Sequence, residues 1–425
     1  MENRSRKSAF AIITILFFMW GFLTCLNDIL VPHLKPVFDL NYTKVMFIQF
    51  TFFAAYFLMS IPAGKLIARV GYQRGVVIGL SVAGVGALLF YPAAGLLSYG
   101  LFLTALFVLA TGITVLQVAA NPYAAVLGKP ETASSRLNLA QAVNSLGHTT
   151  APYIGGLLIL GTTLSAEQLS LLPASEQMAA KLEKAASVQL PYLLLAVGLF
   201  LLAVVMGLVK LPKIPIVEDA ESRHARLRDA LKHRHLRLAA VGIFLYVGAE
   251  VSIGSFLVNF FGQKEIAGLT EAVAAGFVSY YWGSAMVGRF IGSAILQKLK
   301  PRGVLAVAAT CASLLVFITI ALNGRAAMWT ILAVGFFNSV MFPIIFTLGI
   351  ENLGRLTSQG SSILVMAIVG GAVIPVLQGA LADTFGIHRA FILPAVCYLY
   401  VIYYALAGSR DPVTDASRPT VIAKA

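Results

Sequence analysis

Twelve apolar stretches, each long enough to cross a lipid bilayer, follow one another through this sequence of 425 residues. A helix needs about 20 apolar residues to cross the hydrocarbon core, and in lipid every backbone amide must be bonded within the protein. Only 12% of the residues are charged, against about 25% in a typical soluble domain. The sequence therefore predicts an all-α integral membrane protein. Its predicted spans, numbered 1 to 12, are 8–32, 45–69, 75–95, 98–124, 137–160, 190–210, 236–262, 272–297, 303–322, 327–349, 359–381 and 388–408.

Basic residues are distributed unevenly between the two sides of these spans. With the N-terminus inside, the inner segments hold 23 of the 31 Lys and Arg residues, and the outer segments hold 7. This bias predicts that both termini are cytoplasmic. It also accounts for the net charge of +13 without nucleic-acid binding. The first apolar run is too long for a signal peptide, so we interpret it as a retained span.

The polar segment 211–235 divides the chain into a six-span unit, 1–210, and a second one, 236–425. Five residues of 64–76 recur in 292–304 at one sequence offset, beginning with Gly64 and Gly292. Two further groups, in spans 4 and 5, recur in spans 10 and 11 in the same order. Parallel six-span repeats are the construction of major facilitator transporters. We therefore predict twelve transmembrane helices in two six-helix pseudo-repeats, the major facilitator fold.

Amide side chains recur at helical spacing in spans 4 and 5, where they form polar faces. Such residues often join helices to one another by hydrogen bonds. Alternatively they line a cavity for a hydroxyl-rich ligand such as a sugar, on which an aromatic ring can stack. We favour sugar binding for the amides and include polar and aromatic residues of spans 1, 7 and 8. The predicted substrate-binding residues are Asn27, Gln117, Asn121, Gln141, Asn144, Trp20, Trp282, Tyr246 and Asn259.

Two acidic residues, Asp28 and Glu250, lie deep within predicted spans, one in each half. A carboxylate in the membrane is costly and therefore pairs, protonates or binds a cation. We predict that both acids couple cation movement to transport; the alternative is a static pair with a basic side chain. Arg289 is one candidate partner, although its place near the end of span 8 favours snorkelling to the inner surface.

Several long strings indicate a family. They are LNDILVPHL in span 1, QVAANPYAAVLG in span 4, RLNLAQAVNSLG in span 5, YVGAEVSIGSFL in span 7, and LGIENLG with GSSILVMAIVGG around span 11. They resemble the fucose–proton symporter family of the major facilitator superfamily, which includes bacterial glucose/galactose and N-acetylglucosamine permeases. The resemblance implies proton-linked monosaccharide uptake by alternating access in a bacterial inner membrane. Asp28 falls on the family's acid in span 1, and Gln141 and Asn144 fall on polar positions associated with the sugar site.

The sequence departs from the fucose permease at two positions. Gln117 stands where that permease has a glutamate in span 4, and Glu250 stands where it has a glutamine in span 7. The exchange points away from fucose and towards the glucose/galactose or N-acetylglucosamine permeases. It also leaves sodium as an alternative to the proton, because two carboxylates with nearby amides could hold sodium near Asp28 and Glu250.

Other functions remain as alternatives to a cation-coupled symporter. A passive sugar facilitator would not need titratable groups in its spans, and a drug exporter of the same fold would favour an apolar cavity. A membrane enzyme would need a nucleophile or metal-ligand cluster, and the dispersed His and Cys residues provide none. We therefore expect a non-enzymatic monomer in the lipid bilayer whose partners are a monosaccharide and a cation, with no cofactor.

The charge bias makes a prediction about orientation. A single cysteine placed in the 211–235 linker should be protected from an impermeant thiol reagent added to intact cells, because the linker is expected in the cytoplasm. The same cysteine should react once the membrane is permeabilised. Labelling in intact cells would refute the orientation.

Overall fold

Helices make up most of the protein, and their order follows the predicted spans. The computed structural model describes residues 9–24, 37–38, 42–155, 173–209, 212, 227–269 and 271–409. Asn27 and Asp28 lie outside these residues. The helices of the first nine spans are Ala9–Thr24, Tyr42–Val70, Tyr72–Gly95, Tyr99–Val126, Ala133–Gly155, Gln189–Leu208, Arg234–Gly262, Glu271–Ile295 and Pro301–Ala321.

Nine helices within the described ranges are long and apolar enough to cross a membrane. The helices of spans 1, 5 and 8 are not among them. Span 1 is described over Ala9–Thr24 alone, and the helix of span 5 carries the amide face predicted above, which lowers its hydropathy. Membrane helices that face one another can carry polar residues between them, so low hydropathy does not exclude a span. The expected all-α fold is confirmed for the described part of the chain.

The helices of spans 10 and 11 are interrupted near their middles. Span 10 consists of Gly324–Asn338 and Met341–Gly349, separated by a two-residue turn. Span 11 consists of Thr357–Met366 and Gly370–Phe385, separated by the 3₁₀ turn Ala367–Val369. Span 12 begins with the short helix Ile387–Ala390 and continues through Ile392–Tyr403 into one wide turn, Tyr404–Gly408. Such breaks within a bundle often mark hinges or binding sites.

Among the described residues, two α-helices lie between the spans and were not predicted. Ala174–Ala186 precedes span 6, and its sequence ASEQMAAKLEKAA is far more polar than the spans. Leu227–Ala230 is a single turn that leads into span 7. Both lie in segments that the sequence assigned to connections, so they leave the order of the spans unchanged.

The first six spans contact the last six through small polar side chains. We call this contact the seam; it includes Ser134, Ser135, Ser293 and Thr347. Ser134 and Thr347 share a hydrogen bond of 2.6 Å, and the Ser135 hydroxyl donates to the Ser293 carbonyl at 2.7 Å. These residues lie at the start of span 5 and the ends of spans 8 and 10. Because successive spans alternate in direction, these ends are on the same side as the linker between spans 6 and 7. The halves are therefore closed against each other on the linker side.

Close backbone approach makes this contact possible between spans 2 and 11. A methyl group on Gly64 would lie 2.7 Å from both the Cβ and the hydroxyl of Ser362, so a larger residue would force the two helices apart. Next to it, the Ser361 hydroxyl donates to the Val118 carbonyl of span 4 at 3.1 Å. Small residues at the seam thus let helices of opposite halves pack at short distance.

Candidate functional site

A cavity of about 150 Å³ lies between the two halves, further from the linker side than the seam. Its volume corresponds to several water molecules at about 30 Å³ each. The walls come from both halves and combine amides, an indole, an acid and a base with apolar side chains. The lining residues are Trp20, Gln117, Gln141, Val247, Glu250, Arg289, Phe342, Pro343 and Ile368.

The interruptions in spans 10 and 11 both open onto this cavity. Phe342 and Pro343 follow the break in span 10, and Ile368 lies within the 3₁₀ turn of span 11. Pro343 has no backbone N–H and so cannot complete the helical hydrogen bond to the preceding turn. Irregular backbone at membrane depth is tolerated where it is buried in protein or borders a cavity. The breaks therefore mark this wall as part of a site.

Amides and an indole form the wall contributed by the first half. Gln117 donates from Nε2 to the hydroxyl of Tyr56 at 2.7 Å, while its Oε1 has no hydrogen-bond partner among the described residues. Gln141 lines the cavity beside it. The ring of Trp20 is only 6% exposed and packs 4.9 Å from the ring of Phe17. This wall can accept and donate hydrogen bonds and present an apolar ring face.

An acid and a base face each other in the wall of the second half. One guanidinium nitrogen of Arg289 lies 3.9 Å from Glu250 Oε1, and the two side chains are 15% and 13% exposed. Arg289 also donates to the hydroxyl of Ser145 in span 5. The expectation that Arg289 snorkels to the inner surface is therefore wrong. Its guanidinium is held between Glu250 and Ser145, because a buried cation is more stable beside an anion and an acceptor.

A buried hydrogen-bond network supports the helix that carries Glu250. The Tyr246 hydroxyl donates to the Asn338 carbonyl at 2.9 Å, and Asn338 donates from Nδ2 to the Tyr281 hydroxyl at 2.8 Å. Tyr246 and Tyr281 are at most 1% exposed. Asn338 thus fastens span 7 to span 8 at the end of the first segment of span 10, which fixes the position of the Glu250 backbone.

Four of the predicted site residues lie together in the structure. Trp20, Gln117, Gln141 and Glu250 line one cavity. Asn121 is fully buried but does not line this cavity, and neither polar atom of its amide has a partner among the described residues. Asn144 donates to the Phe17 carbonyl at 2.8 Å, which joins span 5 to span 1.

Three further predicted residues, Tyr246, Trp282 and Asn259, do not line this cavity. Tyr246 is inside the second bundle, as described above. Trp282 is 44% exposed, and Asn259 is exposed near the end of span 7. Asn27 and Asp28 are outside the described residues. No group of three or more His, Cys, Asp or Glu within the described ranges could hold a metal ion.

Sequence reasoning missed part of the cavity wall. Arg289 was considered only as a partner or a snorkelling residue, and Phe342, Pro343 and Ile368 were not considered as site residues. Pro343 of span 10 corresponds to Pro122 of span 4 in the repeat, and a proline within a predicted span is a signal for a broken helix. Nothing in the local sequence of Ile368 indicates its place in the wall.

The family of the chain follows from comparison with known proteins. The family model described as Major Facilitator Superfamily matches residues 9–368. The chain belongs to the major facilitator superfamily. A relative in Brucella abortus biovar 1 (strain 9-941), named "Glucose/galactose transporter", is 54% identical over 96% of this chain and 97% of its own length. The L-fucose-proton symporter of Escherichia coli K12 is 34% identical over 96% of this chain and 95% of its own length.

A solved structure shares both sequence and fold with this superfamily member. The E. coli fucose:proton symporter FucP, in a structure described as the outward conformation, superposes with a TM-score of 0.88 at 34% identity. The match covers 94% of this chain and 98% of FucP. The predicted major facilitator fold is therefore confirmed, and the chain is a multi-pass membrane transporter rather than an enzyme.

The contact of Asn144 with span 1 makes a prediction about stability. Asn144→Ala removes the hydrogen bond to the Phe17 carbonyl and should lower the stability of the protein by about 1 kcal/mol. Asn259→Ala is the matched control, because Asn259 is exposed. Apparent melting temperatures of both variants in detergent would test this. Equal melting temperatures would show that the hydrogen bond does not stabilise the bundle.

Proposed function

We propose that this protein is a cation-coupled symporter that imports a hexose such as glucose or galactose by alternating access. The observation that carries the proposal is the cavity between the halves, in which Gln117, Gln141 and Trp20 face Glu250 and Arg289. Amides both donate and accept hydrogen bonds, as do sugar hydroxyls, and an indole ring can cover the apolar face of a pyranose. The names of the Brucella and E. coli relatives support a sugar as substrate.

The closed seam supports an outward-facing state in the transport cycle. In this proposal the protein lies in a bacterial inner membrane, with the linker and both termini on the cytoplasmic side. The closed side is then the inner side. The cavity is then directed to the outer side, which agrees with the outward conformation of the related FucP structure. In this proposal, residues 1–210 and 236–425 move as two bodies that part at the seam and release the sugar inward.

Asp28 and Glu250 are the proposed coupling acids. Glu250 lines the cavity with a neighbouring cation, whereas the role of Asp28 rests on the sequence alone. A charged acid makes the exchange between the two states costly, and a bound cation removes that cost. We take the proton as the coupling ion, supported by the names of the fucose symporter relatives; sodium is the alternative that the first experiment separates. We expect the transporter to act as a monomer.

Substrate and ion can be identified in one set of liposomes. Purified protein in proteoliposomes should accumulate labelled glucose or galactose when a proton gradient is imposed, because the cavity combines sugar-binding groups with a coupling acid. N-acetylglucosamine and fucose are the competing sugars, and an imposed sodium gradient is the competing driving force. Accumulation that requires sodium would replace the proton. Equilibration without accumulation would identify a passive facilitator and overturn coupling.

The role of Asp28 can be tested by removing its charge. Asp28→Asn should abolish accumulation of sugar but preserve counterflow, in which labelled sugar exchanges for unlabelled sugar without net cation movement, because the neutral side chain mimics the cation-bound state. Active uptake and counterflow should be measured in the same preparation, with Asp383→Asn as the control outside the proposed site. If Asp28→Asn concentrates sugar as well as the parent, the carboxylate has a structural role.

A further inference from the structure

Arg289 belongs to the cavity and to the contact between the halves at the same time. Its guanidinium lies 3.9 Å from Glu250 in its own half and donates to Ser145 in the other half. Its backbone carbonyl accepts a hydrogen bond of 2.5 Å from Asn138, again in the other half. One turn earlier, the Thr149 hydroxyl lies 3.7 Å from the sulfur of Met286. Span 8 is thus joined to span 5 along the stretch that presents Arg289.

Other charged or titratable groups near this pair come from several helices. Tyr246, on the helix of Glu250, and Tyr281 of span 8 lie close enough to Glu250 to interact electrostatically, as does Tyr398 of span 12. His148 of span 5 lies close to Arg289. Tyrosine hydroxyls are neutral under ordinary conditions. Among the groups that face Arg289 within the described residues, Glu250 is therefore the one that supplies a negative charge.

We propose that Arg289 is a positioning residue that makes closure of the seam depend on the charge of Glu250. While Glu250 is ionised, Arg289 has a counter-charge in its own half and an acceptor in the other, and the closed arrangement is stable. Once the charge of Glu250 is cancelled, the closed arrangement holds a largely buried cation whose remaining hydrogen-bond partner among the described residues is the Ser145 hydroxyl. A buried charge left without its partner is strongly destabilising.

Parting of spans 5 and 8 relieves this cost. When the two helices separate, water from the linker side can reach the guanidinium and replace Ser145 as its partner. Loss of the charge on Glu250 therefore favours the state that is open on the linker side. If the proposed function is correct, this is the direction required for import, because the cation arrives from the outer side and opening follows inward. The inference rests on the proposed function only for this assignment of direction.

Disulfide formation across the seam measures its closure directly. Ser134→Cys and Thr347→Cys place thiols at two positions whose hydroxyls share a hydrogen bond in the closed arrangement, and neither position lines the cavity. The three native cysteines are replaced by serine in this reporter protein. The rate of cross-linking by a mild oxidant then reports the closed fraction, without sugar or an ion gradient. Ser135→Cys with Ser293→Cys provides a second reporter at the neighbouring contact.

The test is a double-mutant cycle in the reporter protein. Its four members are the parent reporter, Glu250→Gln, Arg289→Gln and the double variant. With Arg289 present, Glu250→Gln should slow cross-linking by about tenfold, because the closed fraction falls when the buried cation loses its partner. With Arg289→Gln present, adding Glu250→Gln should leave the cross-linking rate unchanged, because there is no buried cation that could lose its counter-charge. Glu250→Asp keeps the charge and should cross-link at the parental rate. Size-exclusion profiles in detergent confirm that each variant is folded.

The outcomes separate this inference from the proposed function. If Glu250→Gln does not slow cross-linking, or slows it equally with and without Arg289, the inference is wrong even when the protein accumulates hexose. If the cycle behaves as expected but no hexose is transported, the link between Glu250, Arg289 and the seam stands and the substrate assignment fails. A variant that loses its monodisperse profile is replaced by Glu250→Ala or Arg289→Met, for which the same comparison applies.

Discussion

A buried guanidinium determines much of how the two halves of this transporter meet. Removing a cation from water is costly, and in the membrane interior the cost is met by an anion or by several acceptors. Arg289 finds its anion, Glu250, within its own half and its acceptor, Ser145, in the other. The ion pair is in the wall of the cavity, and the hydrogen bond is part of the closure beneath it. The charge of the cavity and the packing of the halves are therefore not independent of each other.

The seam, on the linker side of this ion pair, consists of weak contacts. Serine and threonine hydroxyls meet hydroxyls or carbonyls across it, as at Ser134 with Thr347 and Ser135 with Ser293. Hydrogen bonds of this kind contribute about 0.6 kcal/mol each between membrane helices, and water can replace them when the helices part. An interface of close-packed large side chains would be harder to open. Small polar residues thus suit a contact that, in the proposed function, forms and breaks in each transport cycle.

The spacing of polar residues along a span predicted a shared face but did not identify what each residue on it meets. Gln117 and Asn121 lie one turn apart on span 4, yet Gln117 lines the cavity and Asn121 is fully buried without lining it. Asn144 carries the same amide as Gln141, yet it binds the backbone of span 1. Arg289 stands near a helix end, where snorkelling is common, and is instead turned inward. For Asn144 and Arg289, the partners that decide the role belong to other helices.

The sequence alone determined the number and order of the membrane spans, the sparing use of charge and the expectation of two related halves. These properties follow from local constraints: a segment in lipid must bond its own backbone, so about 20 apolar residues specify a helix without reference to their neighbours. The tertiary structure decided which polar residues share a cavity, where spans 10 and 11 are interrupted and which cation faces Glu250. Those features depend on the distance between side chains of separate helices, and that distance is set when the helices pack.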